Sequence, residues 1–218
     1  KDNGEWVVKT DKGDITCEHV VNAAGLWAPE VAKMVGLEIP SIAIAHTHIL
    51  YEKIKAIDEA EGYLPLVRDP DKSIYLRQEM ASLILGMYEA NGQQWKRRGV
   101  PWDYAQEELN PDLDNIADCI QAGIDRFPIL GDTGFKHITA GPITYTPNGD
   151  PLVGPAAPLK NFYHACGYSF GITQAGGIGH YLAGWIMNGE PEIDLWPMDS
   201  RRYGSYANWA YNTEKIAD

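Results

Sequence analysis

The amino-acid sequence predicts an α+β protein, in which an α/β half-domain is interrupted by a mostly antiparallel β-sheet carrying one helix. Three observations carry this reading. Residues 162–189 read as a strand, a glycine-dense turn and an amphipathic helix. Near the start, residues 15–25 read as a buried strand that ends in small residues, with a short helix after it. Between these α/β-like pieces lie alternating segments, the pattern of half-buried antiparallel strands. The expected division is residues 1–40 with 139–190 for the α/β unit, 41–138 for the inserted sheet, and 191–218 for a connecting tail.

Residues 5–10 (EWVVKT) and 15–22 (ITCEHVVN) are β-rich and joined by Asp11-Lys12-Gly13, a hairpin signal. The second run ends in Val20-Val21-Asn22-Ala23-Ala24-Gly25, where small residues leave room for a ligand or for a packed helix. That helix is expected over 29–35, with proline in its first turn and Gly36 at its end. Residues 41–52 (SIAIAHTHILYE) alternate as a long strand with His46 and His48 on one side. A short strand is expected at 64–68, paired strands at 73–77 and 83–88, and a polar loop from Gly92 to Pro101. A helix then starts at Asn110-Pro111, burying Ile116, Cys119, Ile120, Gly123, Ile124 and Phe127. Strands follow at 135–143 and 162–167. Gly167, Gly171, Gly176, Gly177 and Gly179 crowd the turn and the start of the last helix. Ile178, Tyr181, Leu182, Trp185 and Ile186 recur there at helical spacing, and Asn188-Gly189 closes the helix. A helix N-terminus offers unpaired N–H groups to an anionic or flat ligand, and glycines let it approach. Tight helix–sheet packing explains the same glycines.

Composition narrows the function classes. A net charge of −12 argues against nucleic acid or an anionic membrane as the main partner, though not against an anionic cofactor held by local dipoles. No apolar run reaches the length of a membrane span, and no signal peptide is visible. Cys17, Cys119 and Cys166 have no ligand or disulfide spacing and are expected as reduced core residues, in keeping with a cytoplasmic or mitochondrial-matrix compartment. The six histidines form no HExxH motif, and no metal site is expected. The chain opens at Lys1 inside a hairpin, which reads as a piece of something longer.

Five segments together resemble the dimethylglycine dehydrogenase and sarcosine dehydrogenase family of D-amino-acid-oxidase-like flavoproteins. They are VVNAAGLWAPEVAKMVGLEIP, YLRQE, LGMYE, GPITYTPNGDPLVGP and GYSFGITQAGGIGHYLAGWIMNGEPEIDL, in that order, spanning about Val20 to Tyr211. The resemblance implies an FAD enzyme that oxidises an N-methyl amino acid by hydride transfer to the flavin. The iminium formed is hydrolysed or handed to tetrahydrofolate, and electrons pass to an electron-transfer flavoprotein. It also implies a Rossmann GxGxxG segment upstream of Lys1 and a folate-binding region downstream of Asp218, so that the remainder of the same polypeptide completes the enzyme.

Carried over position by position, the resemblance places Ala24 and Gly25 near the FAD phosphate and ribityl region, and Gly141 and Pro142 beside the isoalloxazine. It places Phe170, Gly171, Ile172 and Thr173 in a turn whose N–H groups face the flavin pyrimidine edge. His46 matches a position above the flavin. His48 stands where dimethylglycine dehydrogenase has tyrosine, and Gln174 where it has histidine. Both are expected to line the amine pocket and to alter substrate choice, because imidazole titrates near neutrality and glutamine does not. His48 outside the pocket is an equal alternative. Arg77 is the local candidate for holding a substrate carboxylate, with an ion pair to Glu79 or Glu89 as its competing role. Tyr145 and Tyr88 offer hydroxyls. Two other readings compete with the enzyme: a non-catalytic regulatory relative, resembling the regulatory subunit of pyruvate dehydrogenase phosphatase, and a free-standing binding protein.

Overall fold

In the computed structural model, residues 4–105 and 107–216 are described, so Lys1 and Asp218, the outer limits of the expected segments, lie outside them. Strands β1 (Trp6–Thr10) and β2 (Gly13–Cys17) form the expected hairpin. The second β-rich run is not one strand. It breaks at Glu18-His19, and β3 (Val20–Asn22) joins another sheet, pairing in parallel with residues 162–164. The physical reason is burial: β2 is exposed along nearly its whole length, whereas Asn22 is fully buried and donates to Ala28 O at 2.9 Å. Helix α1 (Ala28–Met34) follows a single 3-10 turn at Gly25–Trp27 and has proline in its first turn.

Strand β4 (Ile42–Tyr51) is the spine of the six-stranded sheet. After the one-turn helix α2 (Lys55–Asp58) come β5 (Val67–Asp69), β6 (Ile74–Glu79) and β7 (Ser82–Met87). A further strand, β8 (Gln94–Trp95), lies inside the stretch expected as loop and pairs with Ala43 and Ile44. Helix α3 (Leu113–Arg126) begins beyond Asn110-Pro111, because the Asp112 side chain caps it by accepting from Asn115 N. Strand β9 (Phe135–Tyr145) runs antiparallel to β4 from Tyr145 opposite Ile42 to His137 opposite Leu50. It passes unbroken through the expected 138/139 boundary. The sheet order is β5-β6-β7-β4-β8, with β9 on the other edge of β4. Ile49, Tyr51, Ile74, Leu76, Leu85 and Met87 pack on Ile116 and Cys119 of α3, which leaves the opposite sheet face for other work.

Strands β10 (Leu152–Pro155) and β11 (Phe162–Cys166) join β3 in a small sheet of order β10-β11-β3. Alternation sends Leu152 and Cys166 to the side where Ala28 of α1 packs. Val153 faces Ile178 and Leu182 of α4 (Gly171–Asn188). The unit is therefore three-layered. The glycine-dense stretch is helix and not turn, since α4 starts at Gly171 and holds Gly176, Gly177 and Gly179 within it. The four interior glycines, Gly184 included, cost about 1 kcal/mol each, while burying Ile178, Leu182 and Trp185 returns roughly 2 kcal/mol apiece. The tail ends in α5 (Trp209–Lys215), capped by Asn208 and laid against the β8 region through a Gln94 Nε2 bond to Thr213 O at 2.5 Å. No helix among the described residues is long and apolar enough to cross a membrane.

Candidate active site

The sheet face turned away from α3 is where the singled-out side chains gather. Period-two alternation along β4 puts His46 and His48 on this face and Ile49 and Tyr51 in the core. The register then aligns Arg68, Tyr75, Gly86, His48 and Thr139 as one row across β5, β6, β7, β4 and β9. Gly86 makes the row possible: a Cβ there would lie 1.9 Å from Tyr75 Cζ, so the Tyr75 ring occupies the space a side chain would need. The next row pairs His46 with Gly141, and a Cβ at Gly141 would meet nothing within 4 Å.

His46 is the hub of this face. Its Nδ1 lies 2.9 Å from Glu89 Oε2, and both side chains are nearly buried. Its ring sits edge-on to Tyr88 and Tyr145, each 5.5 Å away between centroids. Tyr88 in turn touches Tyr75 at 6.0 Å and Phe170 at 6.2 Å. The Arg68 guanidinium lies 5.8 Å from the Tyr88 ring and 5.7 Å from that of Phe170. No carboxylate pairs with Arg68 among the described residues. Burial, and then the positive charges of Arg77 and His137, hold the His48 imidazole below its ordinary range, with Glu108 opposing. Burial pushes the Tyr145 and Tyr75 hydroxyls upward. Both phenols therefore stay protonated at neutral pH and serve as hydrogen-bond donors.

The predicted cofactor-facing segments converge beside this face. Asn22 pairs in parallel with His164, so Ala24 and Gly25 leave the sheet level with the end of β11, at the edge where α4 begins. Strand β9, with Gly141 and Pro142, packs against the Gly25–Trp27 turn, and Thr144 Oγ1 donates to Tyr168 O at 3.2 Å. Phe170 precedes α4. Gly171, Ile172 and Thr173 form its first turn, with Ile172 fully exposed. The first intrahelical bond runs from Gln174 N to Phe170 O, and the N–H groups of residues 171–173 have no acceptor among the described residues. Gln174 Oε1 is buried and meets no donor. An open helix N-terminus, an orphaned acceptor behind it and bare glycine backbone at Gly25 and Gly141 fit the edge of a flat, anionic cofactor such as FAD.

Arg77 does not pair with Glu89. It shares the sheet face with Tyr75, and its Nη1 lies 2.5 Å from Glu79 Oε2 in an exposed ion pair. Sequence reasoning missed Arg68 and Tyr75 and placed Glu89 only as a partner for Arg77. The signal for Tyr75 lay in YLRQE, where it alternates with Arg77; Arg68 carries no local signal, since only the β5–β6 pairing brings it into the row.

This architecture is that of the FAD-dependent oxidoreductases. Residues 1–185 match the family described as DAO, FAD dependent oxidoreductase, and the chain belongs to that family. It is 38% identical over 223 residues to the mitochondrial dimethylglycine dehydrogenase of Homo sapiens, covering 100% of this chain and 26% of that protein. The mitochondrial sarcosine dehydrogenase of Mus musculus is 38% identical over 197 residues, covering 90% of this chain and 21% of that one. The crystal structure of L-proline dehydrogenase from P. horikoshii superposes with a TM-score of 0.74 at 25% identity, over 92% of this chain and 51% of the other. The chain spans about a quarter of the length of the curated relatives it matches.

Proposed function

We propose that this chain supplies the amine-binding face and one wall of the FAD site in an enzyme that oxidises an N-methyl amino acid, of the dimethylglycine or sarcosine type. The observation that carries the proposal is a juxtaposition. The open N-terminus of α4 is joined through Phe170 to the aromatic wall of Tyr88, His46 and Tyr145. Gly171–Thr173, Gly141 and Ala24-Gly25 would hold the FAD, which when bound supplies the acceptor for a hydride. Aromatic rings attract a methylated ammonium through their electron-rich faces. Arg68, stacked on Tyr88 and Phe170 and without a carboxylate partner among the described residues, holds the substrate carboxylate beside that wall. Arg77 adds positive charge nearby but shares it with Glu79. His48, kept neutral by burial, accepts the proton that leaves the substrate ammonium. Glu89 orients His46. Gln174, through its unpaired Oε1, tunes which amine is accepted.

Transfer of the one-carbon unit to tetrahydrofolate and of electrons to an electron-transfer flavoprotein belongs to the same proposal, as does a mitochondrial-matrix or cytoplasmic setting. These rest on the resemblance to the two dehydrogenases. The test is anaerobic titration of the yellow full-length protein with dimethylglycine and with sarcosine. Bleaching of the flavin is the expected result. Flavin that is bound but reduced by no N-methyl amino acid would overturn the proposal in favour of a non-catalytic relative.

A further inference from the structure

We infer that the chain carries a second small-molecule site, separate from the proposed amine-binding face, that takes a flat aromatic ring bearing two acidic groups. The site is a cavity of about 410 Å³ between α1, the start of β4, residues 95–100 and α5. That volume lies in the range of ligand sites. None of Arg68, Tyr75, His46, His48 or Tyr88 lines it, and neither does any residue proposed to hold the FAD.

A basic turn in the lining calls for the acidic groups. Lys96, Arg97 and Arg98 are consecutive, exposed, and all part of the lining. No carboxylate pairs with any of the three among the described residues, although acidic residues outnumber lysines and arginines 30 to 18 in the chain. The turn is pinned from several sides. Gly99 N donates to Lys96 O at 2.9 Å, and Trp209 Nε1 donates to Arg97 O at 2.8 Å. Lys96 is held at φ +47°, a left-handed conformation that a residue with a side chain keeps only where its surroundings fix it. Three like charges fixed in succession repel one another, and a doubly charged anion relieves that repulsion. The carboxylates of the lining do not. Glu30 Oε1 accepts from Val100 N at 3.2 Å and lies 3.7 Å from Lys33 Nζ, which leaves Glu38 alone against three cations.

The rest of the lining calls for the ring. Leu26, Ile42 and Val100 are apolar, and Trp95 and Trp209 add two indoles. Both indoles are braced by neighbours. The Trp95 ring packs on Tyr104 at 4.6 Å between centroids, and the Arg98 guanidinium lies 6.0 Å from the Trp209 ring. Rigid aromatic surfaces favour a flat aromatic partner, by offset stacking or edge contact. The Arg98–Trp209 contact also places positive charge directly beside an indole of the apolar wall. A ring with acidic substituents meets both at once. An amine the size of dimethylglycine would leave most of the volume unfilled, and an aliphatic diacid would leave the indoles unused.

Isothermal titration calorimetry of the yellow full-length protein tests the assignment with naphthalene-2,6-dicarboxylate as probe. Naphthalene-2,6-dicarboxamide has the ring without the charges, and pimelate has the charges without the ring. The expected result is saturable binding of one dicarboxylate per chain, with each control weaker by about tenfold or more. The double variant Arg97→Gln with Arg98→Gln is expected to weaken binding by about tenfold without changing dimethylglycine-driven bleaching. Lys96→Asn covers the case in which the double variant fails to fold, because asparagine adopts the left-handed backbone readily; it should weaken binding by roughly threefold or more. Saturating dimethylglycine should leave binding of the probe unchanged. A control that binds as tightly as the probe, variants that bind it like the wild type, displacement by dimethylglycine, or no saturable binding would overturn the inference. Bleaching reports on the amine-binding face independently, so failure there is distinguished from failure here.

Discussion

Replacing His164 with phenylalanine is expected to remove an acid sensitivity that this residue builds into the small sheet. His164 is 2% exposed in β11, and its Nδ1 meets no hydrogen-bond partner among the described residues. Burial lowers its pKa from 6.5 to about 4. Between these values the unfolded chain binds a proton that the folded chain refuses. Stability therefore falls as pH drops through 6.5 toward 4, and the effect vanishes above 6.5. At pH 5 the unfolded imidazole is about 1.5 pH units below its own pKa, and at about 1.4 kcal/mol per unit the folded state loses roughly 2 kcal/mol relative to pH 7. Phenylalanine is similar in size, carries no proton and matches the apolar company of Phe162, whose ring lies edge-on at 5.7 Å. Urea unfolding of both proteins at pH 7 and pH 5 reads the effect as a difference of differences, so any constant change in packing cancels. The wild type should lose roughly 2 kcal/mol more than the variant between the two pH values. Equal losses would show that His164 is protonated in the fold, and the burial reasoning would be wrong.

Three further outcomes follow from the geometry. Gly86→Ala drives a Cβ into the Tyr75 ring and should cost about 1–3 kcal/mol of stability by urea unfolding, with much of it recovered when Tyr75→Ala is added. Arg68→Ala should raise the KM for the amino-acid substrate by about tenfold or more with little change in kcat, and Arg68→Lys should restore part of it; a kcat defect alone would remove Arg68 from carboxylate binding. Asp112→Ala removes the cap on Asn115 N and the 2.6 Å bond from Gln93 Nε2, and should lower stability by about 1 kcal/mol without touching flavin reduction.

The parts legible in the sequence were those with a local cause. Alternation in 41–52 announced β4 and set His46 and His48 on one face, and helical spacing in 178–186 announced the buried side of α4. The start of α4 was misread because glycine is a poor helix former, and the favourable term, burial of Ile178 and Trp185 against β10 and its surroundings, is a tertiary one. The break at Glu18-His19 was invisible because both halves of 15–22 are β-rich; only the choice of sheet differs. Arg68 and Glu89 were out of reach for a similar reason. Arg68 enters the row through cross-strand register, and Glu89 meets His46 across 43 residues of chain.

The long β4–β9 ladder has a mechanical consequence. It joins His46 to Gly141 and, further along, Ile42 to Tyr145, so one hydrogen-bonded ribbon carries both the imidazole proposed to face the amine and the backbone proposed to lie beside the cofactor. A slip by one residue would turn every side chain on the ribbon to the wrong face, so the ladder cannot creep. It acts as a fixed gauge between His46 and Gly141. Under the proposed function, a new substrate would be reached by exchanging side chains along the ribbon, for which His48 is a candidate position, and not by sliding one half of the site past the other.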